Sequence, residues 1–159
     1  MSGYGGSTMD LALPSDFKEF LRLLSENLVE YLLIGGYAVG YYGYPRATGD
    51  LDIWVAISPT NAEKLVRLLR QFGFAVPELT EDIFLQPWGI VRMGYPPMRI
   101  EVTTTISGVD FAECYAQRIN DDIDGVRVDI ISLPVDVRRT WLISNNCRSL
   151  LDNCLCRKL

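Results

Sequence analysis

Histidine is missing altogether from the 159 residues of this chain. With it go the Ser-His and Cys-His nucleophile arrangements, the usual proton shuttle near neutral pH and the commonest transition-metal ligand. Cysteine is scarce, and Cys114, Cys147, Cys154 and Cys156 show no paired C-x-x-C spacing. That argues against zinc and for incidental reduced thiols. Positive charge is in deficit: the formal net charge is −5, which leaves no broad basic footprint for an extended duplex nucleic acid, although a small anionic substrate needs only a local cluster of donors. No apolar run approaches the roughly 20 residues that span a bilayer, and Met1 to Asp10 is glycine- and serine-rich rather than signal-like. A cytoplasmic protein with no membrane partner is expected. There is no G-x-x-x-x-G-K-[ST] motif, which argues against a P-loop nucleotide hydrolase. What remains for chemistry is carboxylate, hydroxyl, lysine, arginine and a hard cation.

What is present is apolar substance and alternating order. With 48% hydrophobic residues, a chain of this length buries one sizeable core and is too short for two ordinary domains. Residues 1–13 read as a loose lead-in, 14–159 as one domain, with the pattern weakening from about residue 135. Pro14-Ser15-Asp16 opens a helix whose Phe17, Phe20, Leu21, Leu24 and Leu28 fall at helical spacing. Tyr31 to Ile34 reads as a strand, Gly35-Gly36 as a turn, and Tyr37 to Tyr42 as a short helix broken at Gly43 and Pro45. A strand from about Asp50 to Ile57 follows, then a helix started by Ser58-Pro59 and stopped by Gly73. Asp82 to Gln86 and Ile90 to Met93 are further strands, Gly94 to Pro97 a turn, and Met98 to Thr104 another strand. Phe111 to Gln117 is a short helix, Asp121 to Gly125 a tight turn, and Val126 to Ile131 a last strand. This order predicts an α/β (α+β) fold, a mixed, largely buried sheet flanked by helices.

The chemistry concentrates in two stretches. On the strand beginning at Asp50, Leu51, Ile53 and Val55 point one way while Asp50, Asp52 and Trp54 point the other. Two carboxylates about 7 Å apart at Cα on one face can hold one cation or a close pair, and Mg2+ suits them because it keeps positions for substrate phosphates; Mn2+ is the alternative ion. Glu101 lies on the non-core face of a second alternating strand, with Arg99 and Thr103, and completes the site if the two strands are neighbours. Its role would be to reach a second metal or to take a proton from an attacking hydroxyl. Gly35-Gly36, between a strand and a helix, lets backbone N–H groups approach a phosphate. Arg46 and Thr48 offer a cation and a hydroxyl to the same group, and Trp54 could line a nucleotide pocket. Asp121, Asp122 and Asp124 suggest the start of a calcium loop, but no closing glutamate follows, and a polar hairpin turn is the better reading. Tyr41, Tyr42 and Tyr44 read as packing.

The order Gly35-Gly36, Ala38-Val39, Tyr42-Gly43, Arg46, Thr48, Asp50-Leu51-Asp52, Tyr95-Pro96-Pro97, Arg99-Ile100-Glu101-Val102 and Ile106-Ser107-Gly108-Val109 resembles the small bacterial nucleotidyltransferases of the DNA polymerase beta-like superfamily, which include abortive-infection toxin components. The resemblance spans about residues 16 to 133. It implies the nucleotidyltransferase fold, a nucleoside triphosphate at the glycine pair, and metal at Asp50 and Asp52 with Glu101 as third carboxylate. It also implies a Mg2+-dependent attack by an acceptor hydroxyl, an RNA end or a protein hydroxyl, in a toxin–antitoxin or defence setting with a partner protein or a second copy. Two departures stand out. The third acid is usually aspartate, one methylene shorter than Glu101, and residues 141–159 lack the basic Gly-Arg-x-Lys-Asp signature of such proteins. A weak or inactive module that binds a nucleotide or a partner is therefore the rival reading. Residues 141–159 keep enough apolar positions to suggest a packed helix outside the active site.

Overall fold

The computed structural model describes residues 12–43, 49–95 and 98–132. Arg46, Thr48, Tyr44 and the expected helix at 141–159 lie outside them. Helix α1, Ser15–Glu26, buries Phe17, Phe20, Leu21 and Leu24 along one stripe, as its apolar spacing dictates. Strand β1, Tyr31–Ile34, is buried at all four positions and runs straight into α2, Gly35–Tyr41, which begins on the first glycine of the pair. Strand β2 is Asp50–Val55. Helix α3, Pro59–Phe72, starts where the Ser58 hydroxyl accepts the Asn61 N–H at 3.1 Å and ends at Gly73, whose φ of 112° suits glycine alone.

The stretch read as a strand at 82–86 is instead a single helical turn, α4, Asp82–Leu85. Short apolar runs carry too little periodicity to separate the two. Tertiary packing decides here, because Phe84 is driven into the core and the Ile83 carbonyl lies where a Cβ on Gly89 would stand. Strands β3, Ile90–Tyr95, and β4, Met98–Thr103, form a hairpin closed by the Tyr95–Met98 pair; Pro96-Pro97 is outside the described residues. Helix α5, Phe111–Ala116, is capped by Asp110, whose carboxylate accepts the Glu113 N–H at 3.1 Å. The acidic run read as a turn is mostly strand: β5, Ile119–Ile123, pairs with β6, Val126–Ile130, across the two residues Asp124-Gly125. Their φ values, 50° and 85°, are those of the tight hairpin turn that matches strand twist, so the hairpin reading of these aspartates holds.

The six strands make one sheet in the order β3-β4-β2-β1-β6-β5. The pairs β2–β4 and β1–β6 are parallel and the others antiparallel, which makes this a mixed sheet of the expected class. Buried Asn61 stitches α3 to the ends of β1 and β2. It accepts the Glu30 N–H at 2.8 Å and donates to the carbonyls of Glu30 and Ala56 at 3.1 and 2.9 Å. Tyr41 donates its hydroxyl to Asp121 at 2.7 Å and Tyr42 to the Ile131 carbonyl at 2.6 Å, in keeping with packing roles. Among the described residues no helix is long and apolar enough to cross a membrane.

Burial pushes the Tyr31 phenol up to about 12, and burial with the Asp121 contact raises Tyr41 as well. An unfolded tyrosine titrates near 10, so the stability these neutral phenols contribute is whole below about pH 10 and is lost as pH rises through about 12. Absorbance at 295 nm followed together with circular dichroism should therefore show the last tyrosines ionising as the fold is lost. Complete ionisation near pH 10 with unchanged circular dichroism would contradict this.

Candidate functional site

Strand pairing decides what sits beside Asp50 and Asp52. Parallel pairing of β2 with β4 sets Asp50 opposite Arg99 and Asp52 opposite Glu101, and the Arg99 N–H bonds the Gly49 carbonyl at 3.1 Å, which fixes that register at the start of β2. Residues directly opposite share a sheet face, so Asp50, Asp52 and Glu101 occupy one face of two adjacent strands about 4.8 Å apart. On the other side of β2, antiparallel β1 places Ile34 opposite Asp52. The next residue, Gly35, has φ of 73°, and a Cβ there would collide with the Asp52 carboxylate. The glycine is thus required twice, for its backbone angle and for the carboxylate lying against it. The glycine pair and the acids form one continuous surface. Helix α2 is only seven residues long, so what the pair offers an anion is close approach to backbone more than a helix dipole.

Each of two acids also has an arginine. Arg92 of β3, paired across the hairpin with Glu101, donates its Nε–H to Glu101 Oε2 at 2.7 Å, and the Glu101 side chain is only 9% exposed. Arg99 donates through Nη2 to Asp50 Oδ2 at 3.2 Å, where the Asp50 side chain is 40% exposed. Both contacts are single N–H···O bonds rather than two-pronged forks. Arg92 Nη2 and Arg99 Nε are buried and find no acceptor among the described residues. Among those same residues, no three carboxylate or thiol side chains converge closely enough to hold one ion. The backbone register sets the three acids on one face, and arginines engage two of them. Neither arginine was marked as a site residue by its sequence context. The Arg92 pair follows from the register of the β3–β4 hairpin and the Arg99 pair from the adjacency of β2 and β4.

Trp54 lies on the acids' face, one strand repeat beyond Asp52, but is 1% exposed. Its indole N–H donates to the Thr104 carbonyl at 3.2 Å and Phe111 packs edge-on against it at 5.1 Å, so it forms the floor of a groove rather than a free stacking surface. That open groove of about 510 Å³ is walled by Ile106, Phe111 and Tyr115 near the ends of β2 and β4. Cys114 is a free thiol.

The chain matches no protein-family model and no curated protein.

Proposed function

We propose that the chain is a metal-dependent nucleotidyltransferase that moves a nucleoside monophosphate from a nucleoside triphosphate to a hydroxyl acceptor. The observation that supports it most is the register that sets Glu101 beside Asp52, on the face that carries Asp50, with the Asp52 carboxylate lying against Gly35. Carboxylate oxygens are the donor set Mg2+ and Mn2+ prefer, and two aspartates one strand repeat apart with a third acid on the neighbouring strand fit such an ion by position. Asp50 and Asp52 would hold it, with Glu101 completing the set once its side chain leaves Arg92. A divalent cation supplies charge neutralisation at the transferring phosphorus and a more acidic hydroxyl.

The chain's own part is positioning. Gly35-Gly36 would let the triphosphate approach backbone N–H groups beside Asp52, with Arg46 and Thr48 as further contacts. The acceptor oxygen forms a bond to the α-phosphorus, the bond from that phosphorus to the β-phosphate bridge breaks, and pyrophosphate leaves. The hydroxyl proton passes to one of the three carboxylates. The rival reading, a weak or inactive nucleotide-binding module, has one observation in its favour, the engagement of Glu101 by Arg92.

A thermal-shift titration tests the reading. Millimolar ATP with Mg2+ should raise the melting temperature, because a ligand that binds only the folded state stabilises it, and ATP with chelator should not. Equal shifts with and without metal, or none with either, would count against a metal–triphosphate site.

A further inference from the structure

The three acids share a face, and two of them meet an arginine on that same face. Arg92 holds Glu101 and Arg99 holds Asp50. We propose that these two guanidinium groups are exchangeable counter-cations, which occupy the carboxylates a divalent ion needs and set its affinity by competing with it. The inference rests on the nucleotidyltransferase reading of the site and deepens it by naming what controls metal entry.

Three features separate these contacts from ion pairs that serve the fold alone. Arginine meets carboxylate most strongly through a two-pronged fork, and here each arginine makes one N–H···O bond. Each also keeps a buried donor without an acceptor among the described residues, Nη2 on Arg92 and Nε on Arg99, an unmet demand that a fully structural pair would have satisfied. Both arginine side chains are partly exposed, at 30% and 27%, so each has a path toward solvent when its carboxylate turns to an ion. The arginines lie on the β3–β4 side of Asp52 and Gly35 lies on the β1 side, so their departure would not disturb the glycine pair.

Two positive charges beside a cation site oppose the cation, and removing either should tighten metal binding. A purely positioning arginine, which orients a ligand carboxylate, would do the reverse: its loss would weaken the metal. The sign of the change therefore decides between them.

The experiment is a Mn2+ titration of the full chain, read by the electron paramagnetic resonance signal of free Mn2+, with no nucleotide present. Arg99→Gln should tighten Mn2+ by roughly fivefold or more relative to wild type at low ionic strength. Arg92→Gln should act in the same direction, but it strands the nearly buried Glu101 and can impair folding; Arg99→Gln, beside the more exposed Asp50, carries the test by itself. Unchanged or weaker Mn2+ binding in a folded Arg99→Gln protein, with wild-type binding that is lost in Asp52→Asn, would overturn the exchange and leave the site reading standing. No saturable Mn2+ binding in wild type or in Arg99→Gln would overturn both.

Discussion

Asp52→Asn is expected to abolish metal-dependent triphosphate binding, with a loss of roughly a hundredfold or more in affinity, and to leave the fold intact. The carboxylate is half-buried between Gly35 on one side and Glu101 on the other, so it stands where a cation and a phosphate held by the glycine pair would meet. The amide keeps the shape and removes the charge. The core at this point is made by Leu51, Ile53 and Val55, all fully buried on the opposite face of β2, and not by Asp52. Unfolding free energy should accordingly change by about 1 kcal/mol or less. Calorimetric titration of Mg2+ and ATP, paired with a urea melt, checks both halves. Unchanged affinity in a folded Asp52→Asn protein would remove Asp52 from the site.

Gly35→Ala should harm stability and metal binding together. An alanine would have to adopt a φ near 73°, a region that costs a residue with a Cβ of order 1–3 kcal/mol, and its methyl would strike the Asp52 carboxylate. The chain relieves the clash by turning Asp52 away or by shifting the junction of β1 and α2, and either movement displaces the carboxylate proposed to hold the metal. We expect a loss of about 2–4 kcal/mol in a urea melt, together with at least tenfold weaker Mn2+ binding in the protein that stays folded. Gly43→Ala is the control, because it shares a positive φ, 94°, but a Cβ there meets nothing within 4 Å. It should cost stability without touching the metal. Equal effects of the two substitutions on Mn2+ binding would show that the contact between Gly35 and Asp52 carries no functional weight.

These expectations trace back unequally to the sequence. Alternation in 50–55 and 98–103 told which face carries Asp50, Asp52 and Glu101, because a strand's two-residue period is strict, and the pairing of β2 with β4 then placed them side by side. Helix α3 was legible for the same kind of local reason, a serine cap, a first-turn proline and a terminating glycine. Adjacency was not legible, since strand order in a mixed sheet is set by long-range packing. The same holds for α4, where Phe84 and the close approach at Gly89 overrode a strand-like composition. Trp54 shows the limit of period alone. It does lie on the polar face, but α5 covers that end of the sheet and buries the ring beneath Phe111. The ion pairs of Arg92 and Arg99 depended on both hairpin register and strand order, and so came into view only with the structure.

The most direct measurement is a crystal structure of the full chain grown with Mn2+ and a non-hydrolysable nucleoside triphosphate, with Mn located by its anomalous signal. The account predicts an anomalous peak within about 2.0–2.4 Å of oxygens from both Asp50 and Asp52, with triphosphate oxygens completing its coordination and phosphate against the backbone at Gly35-Gly36. It also predicts that Glu101 and Asp50 have parted from Arg92 and Arg99. A triphosphate bound elsewhere, or an acid face that holds no Mn while both arginine pairs persist, would contradict it.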